Sequence, residues 1–364
     1  MRSALLVAVL AMAACGDDSK TTTDAASDDD GGGSGSDGAN ATPIDFGTLP
    51  LEEWTWVDVP GMVCGNGSGT GIAINPTHRS NKLMLLFEGG GACWEAANCY
   101  GIVVPVSASH LDGFNANTFA SVRSQFDNLW AFQRDEPTSV FADFTWVFVP
   151  YCTGDLHAGT RENVYSALGQ TRTMHHKGAM NVDAMLGHID DYAFGELFVI
   201  GISAGGYGAQ LNWDRITGAF PTVTTHVFAD GSQMVPIESG RWGTMKNVWA
   251  MRFPEGCTDC ATRFDNTAKF WRTAHPAMGG RYALTNSLQD GTLALFFGYT
   301  AGDMKAASLL IGNAMTGENA AFMVDDNSHT MLVSPNKMTS TGLTVRTFAE
   351  AWVRDGAEFV TVGP

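Results

Sequence analysis

Six short runs of this chain are apolar almost throughout, and they limit its fold more than any other feature. They are Lys82–Phe87, Thr145–Val149, Leu197–Gly201, Thr225–Ala229, Tyr282–Thr285 and Ala321–Val324. A strand with one wet face alternates apolar and polar residues; a run without alternation belongs to a strand covered on both faces. Helix-like stretches lie between the runs. From Lys177 to Tyr192 the residues Met180, Val182, Met185, Leu186 and Ile189 recur at helical spacing, and Ala204–Ile216 follows a similar pattern. Strands alternating with helices predict a mostly parallel central sheet between two helical layers, an α/β three-layer sandwich. No repeat is visible at periods of about 20–50 residues. Segments 96–143 and 232–278 are patterned more weakly and read as cap insertions or loops beside a binding site.

The first 42 residues stand apart. Arg2 precedes an apolar run from Ala4 to Ala14, too short to cross a bilayer but suited to the core of a signal peptide over residues 1–14. The run ends in Met12-Ala13-Ala14-Cys15, which resembles a bacterial lipoprotein signal with Cys15 as the lipidated residue; Met12 departs from the usual leucine, so ordinary cleavage near Ala14 stays open. Residues 15–42 are rich in Asp, Gly, Ser, Thr and Ala, lack aromatics, and are expected to form a flexible acidic tether. Residues 43–364 then make one catalytic-sized domain, with 45% of the whole chain hydrophobic and only 16% charged. The protein is therefore expected outside the cytoplasm, held to an outer membrane or cell surface through Cys15, or else secreted or periplasmic. A monomer is expected.

The formal charge of −17 argues against a nucleic-acid partner, because no excess of Lys and Arg is present to neutralise phosphates. Residues 1–42 carry seven Asp against Arg2 and Lys20, a net of −5, which leaves −12 for residues 43–364. Seven cysteines are an odd number for an exported chain. Setting Cys15 aside leaves Cys64, Cys93, Cys99, Cys152, Cys257 and Cys260. Cys93 and Cys99 flank a loop, and Cys257 and Cys260 flank Thr-Asp. Pairing each locally is the simplest assumption and leaves Cys64 to Cys152, although spacing alone does not establish it. One CxxC with no second ligand pair is a weak zinc signal, and neither a metal nor another cofactor is expected.

Gly201-Ile202-Ser203-Ala204-Gly205-Gly206 follows an apolar strand and opens a helix. That context gives a GxSxG match its meaning: the serine stands on a sharp turn at the carboxyl end of the sheet, and the next amide, Ala204, faces a bound acyl oxygen. The competing reading is a glycine-rich turn with a capping serine. A second feature favours chemistry. Glu88-Gly89-Gly90-Gly91-Ala92-Cys93-Trp94 follows an earlier strand, and bare amides of Gly90 and Gly91 could join Ala204 in an oxyanion hole. The loop lacks a phosphate-binding signature, and Glu88 would repel phosphate.

A serine of this type needs a base, and an acid to orient the base, usually in the order Ser, acid, His along the chain. Downstream lie His226 inside a strand-like run, His275 in a candidate loop, and His329 in a polar loop after the last apolar run. His329 is the expected base. Asp290 in the preceding loop is the expected acid, with Asp230 as the alternative; Asp325 and Asp326 are too close to His329 in sequence. His175-His176 look like metal ligands but read better as a solvated helix start. Trp94, beside the glycine loop, is the tryptophan expected to meet substrate, and Trp54 and Trp56 read as core.

These segments together resemble the pectin acetylesterase family, which includes the Wnt-deacylating carboxylesterases. The matching pieces are Leu86–Trp94, Val149-Pro150-Tyr151-Cys152-Thr153-Gly154-Asp155, Gly201–Gly206 and His329. The resemblance implies an α/β-hydrolase fold, no metal, a Ser203–Asp290–His329 triad, an oxyanion hole from Gly90, Gly91 and Ala204, and the three disulfides, Cys64–Cys152 in particular. Ser328-His329-Thr330 lacks the cysteines that often flank this histidine in the family, so its loop must be held differently. Asp155 and His157 read as structural or rim residues. Acetylated polysaccharide is the favoured substrate class, although the −12 domain disfavours pectin unless the cleft is locally basic, with Arg161 and Arg172 as candidates. A hydrophobic acyl ester or polyester is the enzyme alternative, and a non-catalytic carbohydrate-binding lipoprotein the other class.

Overall fold

The structure, a computed structural model, describes residues 42–364 apart from 103–105, 127–128, 137–138 and 190–191. The expected signal peptide, Cys15 and the tether up to Ala41 lie outside the described residues. Ten strands are described: β1 (Thr55–Val63), β2 (Gly69–Asn75), β3 (Lys82–Phe87), β4 (Thr145–Val149), β5 (Arg161–Ala167), β6 (Gln170–His176), β7 (Glu196–Ile202), β8 (Thr224–Asp230), β9 (Tyr282–Ser287) and β10 (Asn319–Val324). Eight of them form one sheet in the order β1-β2-β4-β3-β7-β8-β9-β10. All six apolar runs are strands, and they are the six parallel neighbours from β4 to β10. The antiparallel edge, β1 and β2, was not anticipated; β1 is only half covered, and Gly and Asn dilute β2.

The helices are α1 (Ala96–Cys99), α2 (Ala116–Phe126), α3 (Gly178–Ile189), α4 (Ala204–Leu211), α5 (Trp213–Ala219), α6 (Ser239–Trp249), α7 (Asp265–Met278), α8 (Gly291–Phe297), α9 (Ala301–Gly312) and α10 (Val345–Arg354). Successive side chains of β3 enter opposite cores. Leu83, Leu85 and Phe87 meet the layer built from α3 to α9, while Met84 and Leu86 meet the layer that holds α2 and α10. This alternation of buried residues is the physical reason for a continuous apolar run. In α10, Val345, Phe348, Ala349 and Trp352 form the buried stripe at helical spacing, and the Thr344 hydroxyl caps the first turn by accepting from Thr347 N–H.

Two local readings are corrected. His175 and His176 end a strand rather than begin a helix: they belong to the β5–β6 hairpin, where Arg161 pairs with His176. His176 is fully buried, its Nδ1 2.9 Å from the Thr153 carbonyl and its Nε2 3.0 Å from the Tyr165 hydroxyl. The stretch after Ser203 is also two helices, not one, with a break at Asn212, whose side-chain amide donates to the carbonyls of His157 and Gly208. Segment 232–278 contributes α6 and α7, which the weak pattern left undefined.

The strand order reverses direction around β3: β4 lies on one side and β7 on the other. Crevices at such switch points, outside the carboxyl ends of parallel strands, are where α/β sheets bind ligands. At the opposite end of the sheet the described chain enters beside α3, where His188 Nδ1 lies 2.7 Å from the Thr42 carbonyl and Ile44 N–H donates to His188 O. Among the described residues no helix is long and apolar enough to cross a membrane.

Candidate active site

Ser203 sits on the turn between β7 and α4 with φ 56° and ψ −122°. A non-glycine residue held there stores about 1–3 kcal/mol of strain, which persists only where the surroundings over-determine it. The surroundings here are tight. A side chain at Gly205 would run into the Phe87 carbonyl oxygen, and one at Gly89 would come within 2.9 Å of Ser203 Cβ. The glycines therefore let the β3 loop and the serine turn touch across the switch point.

Three separate loops bring the expected triad together. His329 Nε2 lies 2.8 Å from Ser203 Oγ, and His329 Nδ1 lies 2.8 Å from Asp290 Oδ2. Asp290 is fully buried and caps α8; its Oδ1 accepts from Leu293 N–H at 2.9 Å, which aims the other oxygen at the imidazole. A carboxylate accepting from Nδ1–H fixes the tautomer, so the Nε2 lone pair faces the hydroxyl. The His329 side chain is 21% exposed, while Asp290 behind it is fully enclosed. His275 falls within α7 rather than in a loop, and His226 lies in β8 with its ring stacked on Phe198.

The glycine loop is held through its carbonyls. Gly90 O accepts from Ser109 N–H at 2.8 Å, Gly91 O from the Tyr151 hydroxyl at 2.9 Å, and Cys93 O from the Trp249 indole at 2.7 Å. Gly90 and Gly91 have φ of 150° and 78°, and a side chain on Gly91 would strike the Ser107 carbonyl. Segment 96–143 thus does border the site. Because C=O and N–H share one trans peptide plane, the bond to Gly90 O also fixes the Gly91 amide. Among the described residues no acceptor takes the amides of Gly90, Gly91 or Ala204.

Trp94 is not an open platform. It is 5% exposed and packs against Phe296, ring centroids 6.0 Å apart, so it walls the core beside the loop instead of offering a face to a sugar. Glu88 also departs from expectation. Its side chain accepts from Tyr151 N–H at 2.8 Å, and burial pushes its pKa up to about 8, which weakens the repulsion of phosphate expected of it. Asp155 and His157 are structural: Asp155 accepts from Gly178 N–H at the start of α3, and His157 Nε2 lies 2.9 Å from the Glu88 carbonyl. Burial raises the pKa of Asp155 to about 6 and lowers that of His157 to about 4. Asp230, the alternative acid, does not touch the imidazole through a hydrogen bond but holds its loop by the backbone.

Three disulfides join Cys64 to Cys152, Cys93 to Cys99, and Cys257 to Cys260. The first ties β1 to the loop after β4, and the second closes the segment that follows the glycines. Cys257, Asp259 and Cys260 are the one metal-type cluster among the described residues, and both its sulfurs are bonded to each other.

The profile of the family described as pectinacetylesterase matches residues 53–239, about half of the chain, including the glycine loop and Ser203. The chain belongs to the pectinacetylesterase family. Among curated proteins it is similar to the palmitoleoyl-protein carboxylesterase NOTUM of Schmidtea mediterranea, with 29% identity over 162 residues, 42% of this chain and 28% of that protein. The Drosophila melanogaster protein of the same name shows 28% identity over 163 residues, 43% of this chain and 23% of its own length. The aligned stretches therefore span less than a third of either relative. The structure of the Wnt deacylase NOTUM from Drosophila superposes with a TM-score of 0.61 at 17% identity, covering 84% of this chain and 94% of the other. The likeness of fold thus reaches past residue 239, where the family profile stops.

Proposed function

We propose that this chain is an exported serine carboxylesterase that removes short O-acyl groups, acetyl first, from a carbohydrate. The carrying observation is the pair of 2.8 Å contacts made by His329, to the Ser203 hydroxyl and to the Asp290 carboxylate. In this reading Ser203 Oγ attacks the ester carbonyl as His329 Nε2 takes its proton, and Asp290 stabilises the imidazolium. The amides of Gly90, Gly91 and Ala204 hold the tetrahedral oxyanion. The alcohol leaves with the proton from His329, and water, activated by the same nitrogen, releases the acid.

The acyl side favours small groups. Trp94 and Phe296 are buried beside the glycine loop, and a Cβ on Gly91 would come within 3.1 Å of the Phe296 ring, so bulky aromatic side chains crowd that loop. The relatives named for palmitoleoyl esters support a second reading, a long-chain deacylase. On the alcohol side, Arg172 is already paired with Asp112 and Arg161 with the Asn247 carbonyl. With a domain charge of −12, a neutral acetylated glycan fits better than a polyuronate. Lipid attachment at Cys15 belongs to the same proposal, and the three disulfides fit an oxidising compartment.

The test is hydrolysis of p-nitrophenyl acetate, octanoate and palmitate by the folded protein and by Ser203→Ala. Acetate is expected to be cleaved fastest, and Ser203→Ala is expected to lose activity and fluorophosphonate labelling with its melt unchanged. Preference for palmitate would select the long-chain reading. A fully active Ser203→Ala would end the serine mechanism, and a wild type that neither labels nor hydrolyses would leave a binding protein.

A further inference from the structure

Asp230 ends β8, directly beside the serine turn, and it is fully buried. No Lys or Arg pairs with its carboxylate among the described residues. Instead its oxygens accept three donors: the Thr285 hydroxyl at 2.6 Å, Met331 N–H at 2.8 Å and Leu332 N–H at 2.9 Å. Its backbone does a second job, because Asp230 O accepts from Ser203 N–H at 2.8 Å. One residue therefore grips the serine turn with its main chain and the histidine loop with its side chain.

The two things it grips are strained. Ser203 has φ 56°, and Thr330, between His329 and the two amides that Asp230 binds, has φ 65°. Neither residue is glycine, so each needs outside contacts to stay in the left-handed region. The next residue, Gly231, completes the seat: a Cβ there would come within 3.2 Å of the Thr330 methyl and 3.4 Å of His329 Cε1. A buried carboxylate that has no cation partner is expensive unless several hydrogen bonds satisfy it. A plain core position would be served more cheaply by an apolar residue.

We infer that Asp230 is a positioning residue of the Ser203–His329 pair, taking over by hydrogen bonds the restraint that flanking cysteines could have given the histidine loop. It touches neither the imidazole nor substrate; it acts by setting where the ring stands over the serine. This rests on the esterase reading above. A few tenths of an ångström in the 2.8 Å hydroxyl–imidazole contact decide whether the proton is handed over, so loosening the loop lowers turnover more than binding.

The experiment compares wild type with Asp230→Ala, Asp230→Asn and Thr285→Val. Asp230→Ala is expected to cut kcat on p-nitrophenyl acetate by about 100-fold with KM unchanged, per active site titrated. Asp230→Asn, whose amide oxygen can still accept from Met331 and Leu332 N–H, should recover most of that loss. Thr285→Val, which removes one donor and keeps the backbone, should lose a few-fold in kcat. A second readout does not need turnover: the low-field proton resonance of His329 Nδ1–H, assigned by its absence in His329→Gln, should broaden or vanish in Asp230→Ala. Should Asp230→Ala fail to fold, Thr285→Val and Asp230→Asn carry both readouts. Wild-type kcat and an unshifted resonance in the folded variants would overturn the inference. A wild type that is inactive but shows the resonance, lost in Asp230→Ala, would sink the esterase reading and keep the positioning role.

Discussion

Glu88 carries a carboxyl group to a place water scarcely reaches, between the end of β3 and the Tyr151 amide, with His110 Nε2 at 4.0 Å from its other oxygen. Burial raises its pKa to about 8 and lowers that of His110. A raised carboxyl pKa means that the folded state holds the proton more tightly than the unfolded state. Its contribution is full below the ordinary Glu value and is lost as pH rises through about 8. Glu88→Gln keeps the acceptor for Tyr151 and removes the titration. Its melting temperature should match wild type near pH 5 and exceed it by about 2–4 °C near pH 9, measured by calorimetry across that range; equal curves would mean that the carboxyl ionises freely. Residues of this kind were only partly legible. Ser203, Asp290 and His329 could be nominated because order along the chain and position after apolar runs mark them. The backbone acceptor role of Asp230 leaves no mark in composition; its place after an apolar run marks it only as an alternative acid.

At the level of elements, the serine turn works because β3, β7 and α4 approach without side chains between them. Gly205→Ala would drive a methyl into the Phe87 carbonyl. The obstacle is main chain of a central strand, which cannot rotate away. The expected cost is about 1–3 kcal/mol of stability with loss of esterase activity, read by denaturant melts and p-nitrophenyl acetate turnover; Gly218→Ala, which has open space around it, serves as control. Strands covered on both faces were legible because apolar residues dominate their runs without alternating. The β5–β6 hairpin was not, since Arg161-Glu162-Asn163 and Gln170-Thr171-Arg172 are polar and half exposed, and only Tyr165, Met174 and His176 turn inward. The same half-covered character hid β1.

Across the whole molecule, Cys64–Cys152 links residues 88 apart and joins the edge strand to the rim. Replacing both by Ser should cost about 2–5 kcal/mol and lower the melting temperature in non-reducing buffer, while adding reductant to the variant should shift it less than it shifts wild type. The two short-range disulfides were legible from parity and proximity; this long one needed family resemblance, because spacing cannot choose a distant partner.

The point at which the described chain enters has a further bearing. Thr42 meets His188 at the finish of α3, just ahead of where β7 sets out, while Ser203 waits where β7 finishes. Seven strand residues, about 20 Å, lie between them. A tag or partner joined just ahead of residue 42 would therefore meet the domain at the end of the sheet away from Ser203, and the mouth beside the serine would stay unobstructed.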